Sequence, residues 1–329
     1  MENNNRILYI KKFFYLLAAT LFFILPWIFP VLRDHAPGAA VFCGILFALF
    51  IGNPFEKITG KITGNLLGIA IVGMGCGMNF LKVLRAGADG ILFTLAGIIL
   101  GLSLGVFLGK KLKISPQVAY LTSVGTSICG GSAIAAAAPV LKSAPHEIAL
   151  SSAVVFSLNA VALFVFPAIG RALNMDQEAF GYWAALGIHD TSSVVGATLA
   201  YGQEALEVGT TIKLARALWI VPVTIFLSVW VAPRLSGEKQ KVRFKVPWFI
   251  PCFLAASALV TFLPVLAPAG NFLKDISKYL MILTLFLIGS NLNKEKLKQL
   301  GFRPVIHGVI LWLILAGIWG VCAFTGIAG

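Results

Sequence analysis

The residues Gly125-Thr126-Ser127-Ile128-Cys129-Gly130-Gly131-Ser132 interrupt an apolar run from Val118 to Leu141, and Gly187-Ile188-His189-Asp190-Thr191-Ser192-Ser193 interrupt a second one. A helix in lipid gains nothing from such residues. Glycine weakens it, and hydroxyl, carboxylate and imidazole groups are costly at that depth. Non-helical backbone survives there only where protein or a water-filled cavity surrounds it. The chemistry these types can do together is binding. Gly130 and Gly131 let backbone come close to a ligand, and Thr126, Ser127, Ser132, Thr191, Ser192 and Ser193 supply hydroxyls. A half-helix restarting at Ala133 would turn free N–H groups and a positive dipole end toward an anion. Small residues also serve as packing seams between membrane helices. Two adjacent glycines flanked by three hydroxyl residues exceed what a seam requires.

Four ionisable residues accompany the two breaks. His189 and Asp190 read as a pair for proton or ion coupling, since histidine changes charge near neutral pH. The alternatives are a satisfied core histidine and an aspartate that caps a half-helix starting at Thr191. Lys213 and Arg216 lie three apart on one helix face, either as anion ligands in a cavity or as side chains reaching for the interface. Asn159 reads as a helix-to-helix hydrogen bond rather than a ligand. Cys129 with His189 and Asp190 could in principle make a nucleophilic site, but nothing in the spacing demonstrates one, and small-residue packing explains the cysteine.

The elements that must position these residues are membrane helices. Of 329 residues 58% are hydrophobic and only 12% charged, with a mean hydropathy of +0.90, against about 25% charged in a soluble domain. The expected fold is all-α, a single polytopic membrane domain over 1–329 with about 11 transmembrane helices of roughly 20 residues each. The candidate segments are 13–32, 37–53, 62–81, 88–109, 116–140, 147–170, 180–201, 209–232, 246–267, 273–292 and 304–326. Residues 1–35 carry an uncleaved first span, peripheral to the core, and 234–245 form a cytoplasmic connecting loop. Most of the 26 Lys and Arg fall on one side of this arrangement, leaving Arg33, Lys82, Arg85, Lys142, Lys274 and Lys278 on the other. That bias puts the N-terminus in the cytoplasm. It also accounts for the net charge of +13 without nucleic acid. Cys43, Cys76, Cys129, Cys252 and Cys322 form no CxxC or metal-ligand spacing, so neither a cofactor nor a metal is expected.

Two weak internal repeats point to a duplicated, inverted core. A shift of 65 aligns Thr126-Ser127 with Thr191-Ser192, and a shift of 214 aligns Gly75 with Gly289 and Asn79 with Asn293. With every segment counted as a crossing, the first shift pairs segments of the same orientation, so the register stays open. Gly73-Met74-Gly75-Cys76-Gly77 and Gly289-Ser290-Asn291 read as packing surfaces.

The motifs GTSICGGSAIAA, Gly125 to Ala136, and GIHDTSSVVGA, Gly187 to Ala197, resemble the YeiH-like family of bacterial inner-membrane proteins, described as sulfate exporters. The Lys213-Leu214-Ala215-Arg216 and Gly289-Ser290-Asn291-Leu292 segments extend the resemblance over nearly the whole chain. It implies a multi-pass plasma-membrane transporter with a duplicated core, similar in architecture to carriers with crossed broken helices. The expectation is a secondary transporter of a small anion, sulfate, sulfite or an organic sulfonate, driven by a proton or ion gradient. Its partners are that anion, a coupling proton or sodium, and the bilayer, with homo-oligomer formation left open. The rivals are a sodium- or proton-coupled carrier of an organic solute, an intramembrane enzyme using Cys129 or Ser127, and a channel.

Overall fold

Backbone inside a bilayer must satisfy its own polar groups, and helices do so within one segment. A computed structural model describes residues 2–28, 36–236, 248–291 and 301–326, and every regular element among them is helical. In chain order these are α1 (Glu2–Ile28), α2 (Ala36–Phe50), α3 (Glu56–Gly75), α4 (Phe80–Lys111), α5 (Pro116–Ser127), α6 (Gly131–Val140), α7 (Pro145–Ala172), α8 (Gln177–Gly187) and α9 (Thr191–Tyr201). There follow α10 (Gln203–Ala217), α11 (Ile220–Phe226), a wide π turn (Leu227–Val231), α12 (Ala232–Ser236), α13 (Phe249–Phe262), α14 (Ala267–Ser290) and α15 (Phe302–Phe324). Five helical segments among the described residues are long and apolar enough to cross a membrane alone: Glu56–Gly75, Phe80–Lys111, His146–Ala172, Gln203–Leu235 and Phe302–Phe324. The pair Phe249–Phe262 and Pro264–Ser290 passes the same test together but turns by 108° at its break. The connecting loop expected at 234–245 lies outside the described residues from 237 on, as do 29–35 of the first-span segment and Asn293 of the second repeat.

The helices group into two compact units where the sequence suggests one domain. The first takes Met1–Lys82 and Pro247–Lys294, the second Val83–Val246 and Glu295–Gly329. In the first, α14 packs against α1, α2 and α3. Gly44 and Gly289 bring α2 and α14 into backbone contact: a Cβ on Gly289 would lie 3.2 Å from the Gly44 Cα. The end of α14 carries a polar knot, with Tyr15 Oη 2.6 Å from Ser290 Oγ and both Asn53 Nδ2 and Thr59 Oγ1 donating to Asn291 Oδ1 at 2.9 and 2.6 Å. A Cβ on Gly75 would lie 2.8 Å from Phe253, and Gly73 faces Ser277. The two glycine-rich stretches therefore serve as packing surfaces.

The second unit corrects the expected topology. Segments 116–140 and 180–201 do not run straight; each folds back at its break. Ile134 Cδ1 lies 2.9 Å from the position of a Cβ on Gly125, although nine residues along a straight helix would separate them by about 13 Å. At the open end, Ser115 Oγ donates to Glu147 Oε1 at 2.8 Å, and the other carboxylate oxygen accepts the Ala144 N–H at 2.9 Å. So α5 and α6 are the two arms of a hairpin. The same holds for α8 and α9. Phe180 and Tyr201 stack with ring centroids 3.7 Å apart, Tyr201 Oη donates to the Met175 carbonyl at 2.6 Å, and Gln177 Oε1 accepts the Glu204 N–H at 3.0 Å. In a straight helix Phe180 and Tyr201 would be about 30 Å apart.

Helix α7 shows how the hairpins are disposed. Near its start Ser151 bonds the Val118 carbonyl of α5. Midway, Val155 faces Gly125, Phe156 covers Gly131, and Asn159 holds the tip of the second hairpin. Toward its end Phe166 stacks on Trp183 at 4.3 Å and Gly170 meets Phe180 and Tyr201. The hairpins thus enter from opposite ends of α7, and their tips meet near its midpoint. This is an inverted repeat. Its register is 61 rather than 65, because that shift superposes the N-caps Ser115 and Asp176 and the hairpin ends Val140 and Tyr201. The conflict of orientation disappears, since neither hairpin counts as a crossing.

A further stripe organises this unit. Gly97, Gly101, Gly105 and Gly109 recur every fourth residue on α4 and receive Trp319, Ser127 with Leu315, Ser123 with Leu311, and Ala119 in turn. Close approach through glycine is how α4 lies against both α5 and α15.

Candidate functional site

The site is where the hairpin tips touch. Gly130 adopts φ +68° and ψ −126°, a region that only glycine enters without strain. A Cβ there would lie 2.9 Å from the Asp190 Cβ, so the two tips are in contact at this point.

Each tip leaves an amino end and a carboxyl end of a half-helix inside the unit. The carboxyl ends are fully used. Arg216, buried on α10, donates from Nε to the Ser127 carbonyl (2.7 Å) and from Nη2 to that of Thr126 (3.2 Å). Its Nη1 reaches across to Ala185 (3.0 Å) and Leu186 (2.7 Å) of α8. Lys213, one turn away and equally buried, donates to the carbonyls of Ile188 (2.6 Å) and Ala185 (3.2 Å). Trp312 Nε1 takes the Gly187 carbonyl at 3.2 Å. The remaining carbonyls of Val124, Gly125 and Ala184 accept main-chain N–H groups of the turns. Two cations thus sit against the negative ends of two half-helices, and Arg216 fastens one tip to the other. By donor count each keeps one N–H uncommitted.

The amino ends differ. Asp190 caps α9, its carboxylate accepting the N–H of Ser192 (2.7 Å) and Ser193 (3.1 Å), the Ser193 hydroxyl (2.6 Å) and the Ser192 hydroxyl. At α6 the N-cap is Gly130, which has no side chain to offer; the Cys129 thiol takes the Ala133 N–H, and the N–H groups of Gly131 and Ser132 meet no side chain. The amino end of α6 is therefore the open one. Ser132 stands exposed beside it, and Gly131, Asp190, Thr191 and Ser192 are half-buried, so the junction opens on one face of the unit.

The buried face holds polar atoms without partners. Asn159 Oδ1 accepts the His189 main-chain N–H at 3.0 Å. Its amide nitrogen, both ring nitrogens of His189 and the hydroxyls of Thr126 and Ser127 are buried with no hydrogen-bond partner. An unsatisfied buried group costs about 1–3 kcal/mol.

The structure therefore brings Gly130, Gly131, His189, Asp190, Lys213 and Arg216 to one junction, with Ser192 and Ser193 bound to Asp190. Thr126 and Ser127 contribute their carbonyls there, while the Ser127 hydroxyl turns to Gly101 of α4. Sequence reasoning missed Trp312, and it gave Asn159 no more than the bond it makes. An indole N–H on an apolar helix announces nothing, whereas an asparagine in a span does. Among the described residues no group of three or more His, Cys, Asp and Glu is placed to hold a metal ion.

Comparison with known proteins agrees on the kind of molecule. A UPF0324 membrane protein of Bdellovibrio bacteriovorus is 49% identical over 84% of this chain and 86% of its own length. One from Bacteroides thetaiotaomicron is 41% identical over 96% of this chain and 94% of its length, and one from Geobacter sulfurreducens is 43% identical over 85% and 88%. No solved structure is a significant match. The family model described as conserved hypothetical protein 698 matches residues 13–308. With that coverage, and with relatives aligned along most of their length, the chain belongs to the conserved hypothetical protein 698 family, the YeiH-like membrane proteins that its two hairpin motifs resemble.

Proposed function

We propose that this protein is a secondary transporter of a small anion, with sulfate, sulfite and organic sulfonates as the candidate class, and that the hairpin junction is its binding site. One observation carries the reading: two opposed hairpins place a helix start with two open N–H groups, hydroxyl groups and two buried cations together near the midpoint of α7. Backbone N–H groups at a helix start, aided by the dipole, are a ready anion site. Broken helices at the midplane are the usual substrate site of carriers built from inverted repeats.

In this mechanism the anion rests on the N–H groups of Gly131 and Ser132, with Ser132 and Thr191 at its rim. Lys213 and Arg216 raise the local positive potential while holding the two tips in place. Asp190 is engaged as a cap, which leaves His189 as the group to carry a coupled proton. The site then opens alternately to the two sides, with no catalytic step.

The proposed location is the bacterial plasma membrane with the N-terminus in the cytoplasm. Counting the hairpins as re-entrant moves Lys142 to the inner side and Arg171 to the outer, so the charge bias keeps its sign. The test is uptake by proteoliposomes of radiolabelled sulfate, sulfite and taurine, with imposed pH and sodium gradients. Saturable uptake of an anion that Lys213→Ala abolishes supports the reading. Uptake of neutral solutes driven only by sodium would replace it with the organic-solute carrier, and currents that do not saturate would replace it with a channel.

A further inference from the structure

The charges at the junction do not cancel. Among the described side chains buried in the second unit, Lys213 and Arg216 are the cations, and Asp190 is the carboxylate at the tips. The helix ends add nothing net: two carboxyl ends of about −0.5 each offset two amino ends of about +0.5 each. His189 has no carboxylate on either ring nitrogen and counts as neutral until the coupled proton arrives. One positive charge is left over, and the two cations that supply it are buried away from the open face.

Resting on the anion reading above, we infer that the site selects its substrate by charge and takes a monovalent oxyanion in preference to a divalent one. A bound monoanion brings the junction to neutrality; a dianion leaves it one negative charge in excess, which is costly in a low-dielectric interior. The unsatisfied groups suit the same ligand. Asn159 is 3% exposed, and its free amide N–H groups lie on α7 one turn beyond Phe156, the residue that covers the start of α6. The uncommitted N–H groups of Lys213 and Arg216 and one ring N–H of His189 are also donors. A tetrahedral or planar oxyanion accepts from donors of each of these kinds, and its single charge supplies what the site lacks.

Three near-isosteric sulfur compounds test this with the purified full-length protein: dimethyl sulfone (neutral), methanesulfonate (monovalent) and sulfate (divalent at neutral pH). Binding is read by thermal shift and by calorimetry at constant ionic strength, in a buffer free of sulfonates. Methanesulfonate should bind at least about tenfold more tightly than sulfate, and dimethyl sulfone should not compete. Asp190→Asn keeps a good helix cap but raises the fixed charge by one, so it should shift the preference toward sulfate by about tenfold or more. Lys213→Gln keeps two N–H donors and removes one charge. It should lose methanesulfonate binding, and it serves if the Asp190 variant fails to fold. Equal or tighter sulfate binding by the native protein overturns the charge rule and leaves the anion reading intact. So does a preference that neither substitution moves. Binding of dimethyl sulfone alone, or of none of the three, overturns the anion reading itself.

Discussion

Arg216 shows how much one side chain can organise. Its four bonds join the carboxyl ends of α5 and α8, which belong to different hairpins. Lysine cannot reproduce this, because a single ammonium lacks the planar fork that reaches both sets of carbonyls. Arg216→Lys should therefore destabilise the protein by at least about 2 kcal/mol, since buried carbonyls on one tip lose their partners. Lys213→Arg, acting on α8 alone, should cost less. Thermal unfolding in detergent, measured side by side, checks the order. His189 makes the complementary case. If it carries the coupled proton, His189→Gln should retain anion exchange and lose uptake driven by a pH gradient; loss of both would make it a structural residue.

At the scale of elements, the sequence announced the breaks and concealed their shape. Gly130-Gly131 and the run His189 to Ser193 mark the two tips because paired glycines, an ionisable pair and clustered hydroxyls together exceed what a packing seam needs. That each break is a reversal was not legible. Two arms of 10 to 12 residues total about the length of one crossing helix, and apolar residues look the same in either arrangement. Lys213 and Arg216 were readable as a pair on one face, but what they grip is main chain, which leaves no trace in residue types. Asp190 was readable as a cap or as a coupling group, and the bonds to Ser192 and Ser193 are those of a cap. The α4 glycines were legible in spacing and went unread amid so much apolar sequence. Their role gives a sharp test. A methyl at Gly101 would collide with the Ser127 hydroxyl, while the Ser127 Cβ would stay 3.1 Å away. Gly101→Ala should cost about 1–3 kcal/mol, and adding Ser127→Ala should recover much of it. Additive losses in that cycle would mean the two residues do not meet.

For the whole molecule, the hairpins change which loops share a side of the membrane. Lys113 and Lys142 flank the first hairpin and belong on one side; Asn174 and Glu204 flank the second and belong on the other. Single cysteines at these four positions, in a cysteine-free background, should react with an impermeant maleimide in those two groups. Reaction of Lys113→Cys and Lys142→Cys from opposite sides would restore a straight crossing over 116–140.

On the proposed transporter function, the equal length and opposed insertion of the two hairpins also bear on which way cargo flows. A turnstile assembled from one part used twice, upside down the second time, has little in its frame to distinguish pushing from pulling. Net movement is then decided by the solute gradient, the gradient of the coupled proton and the voltage between the compartments. The same molecule reconstituted in either orientation should fill a vesicle or empty it on demand.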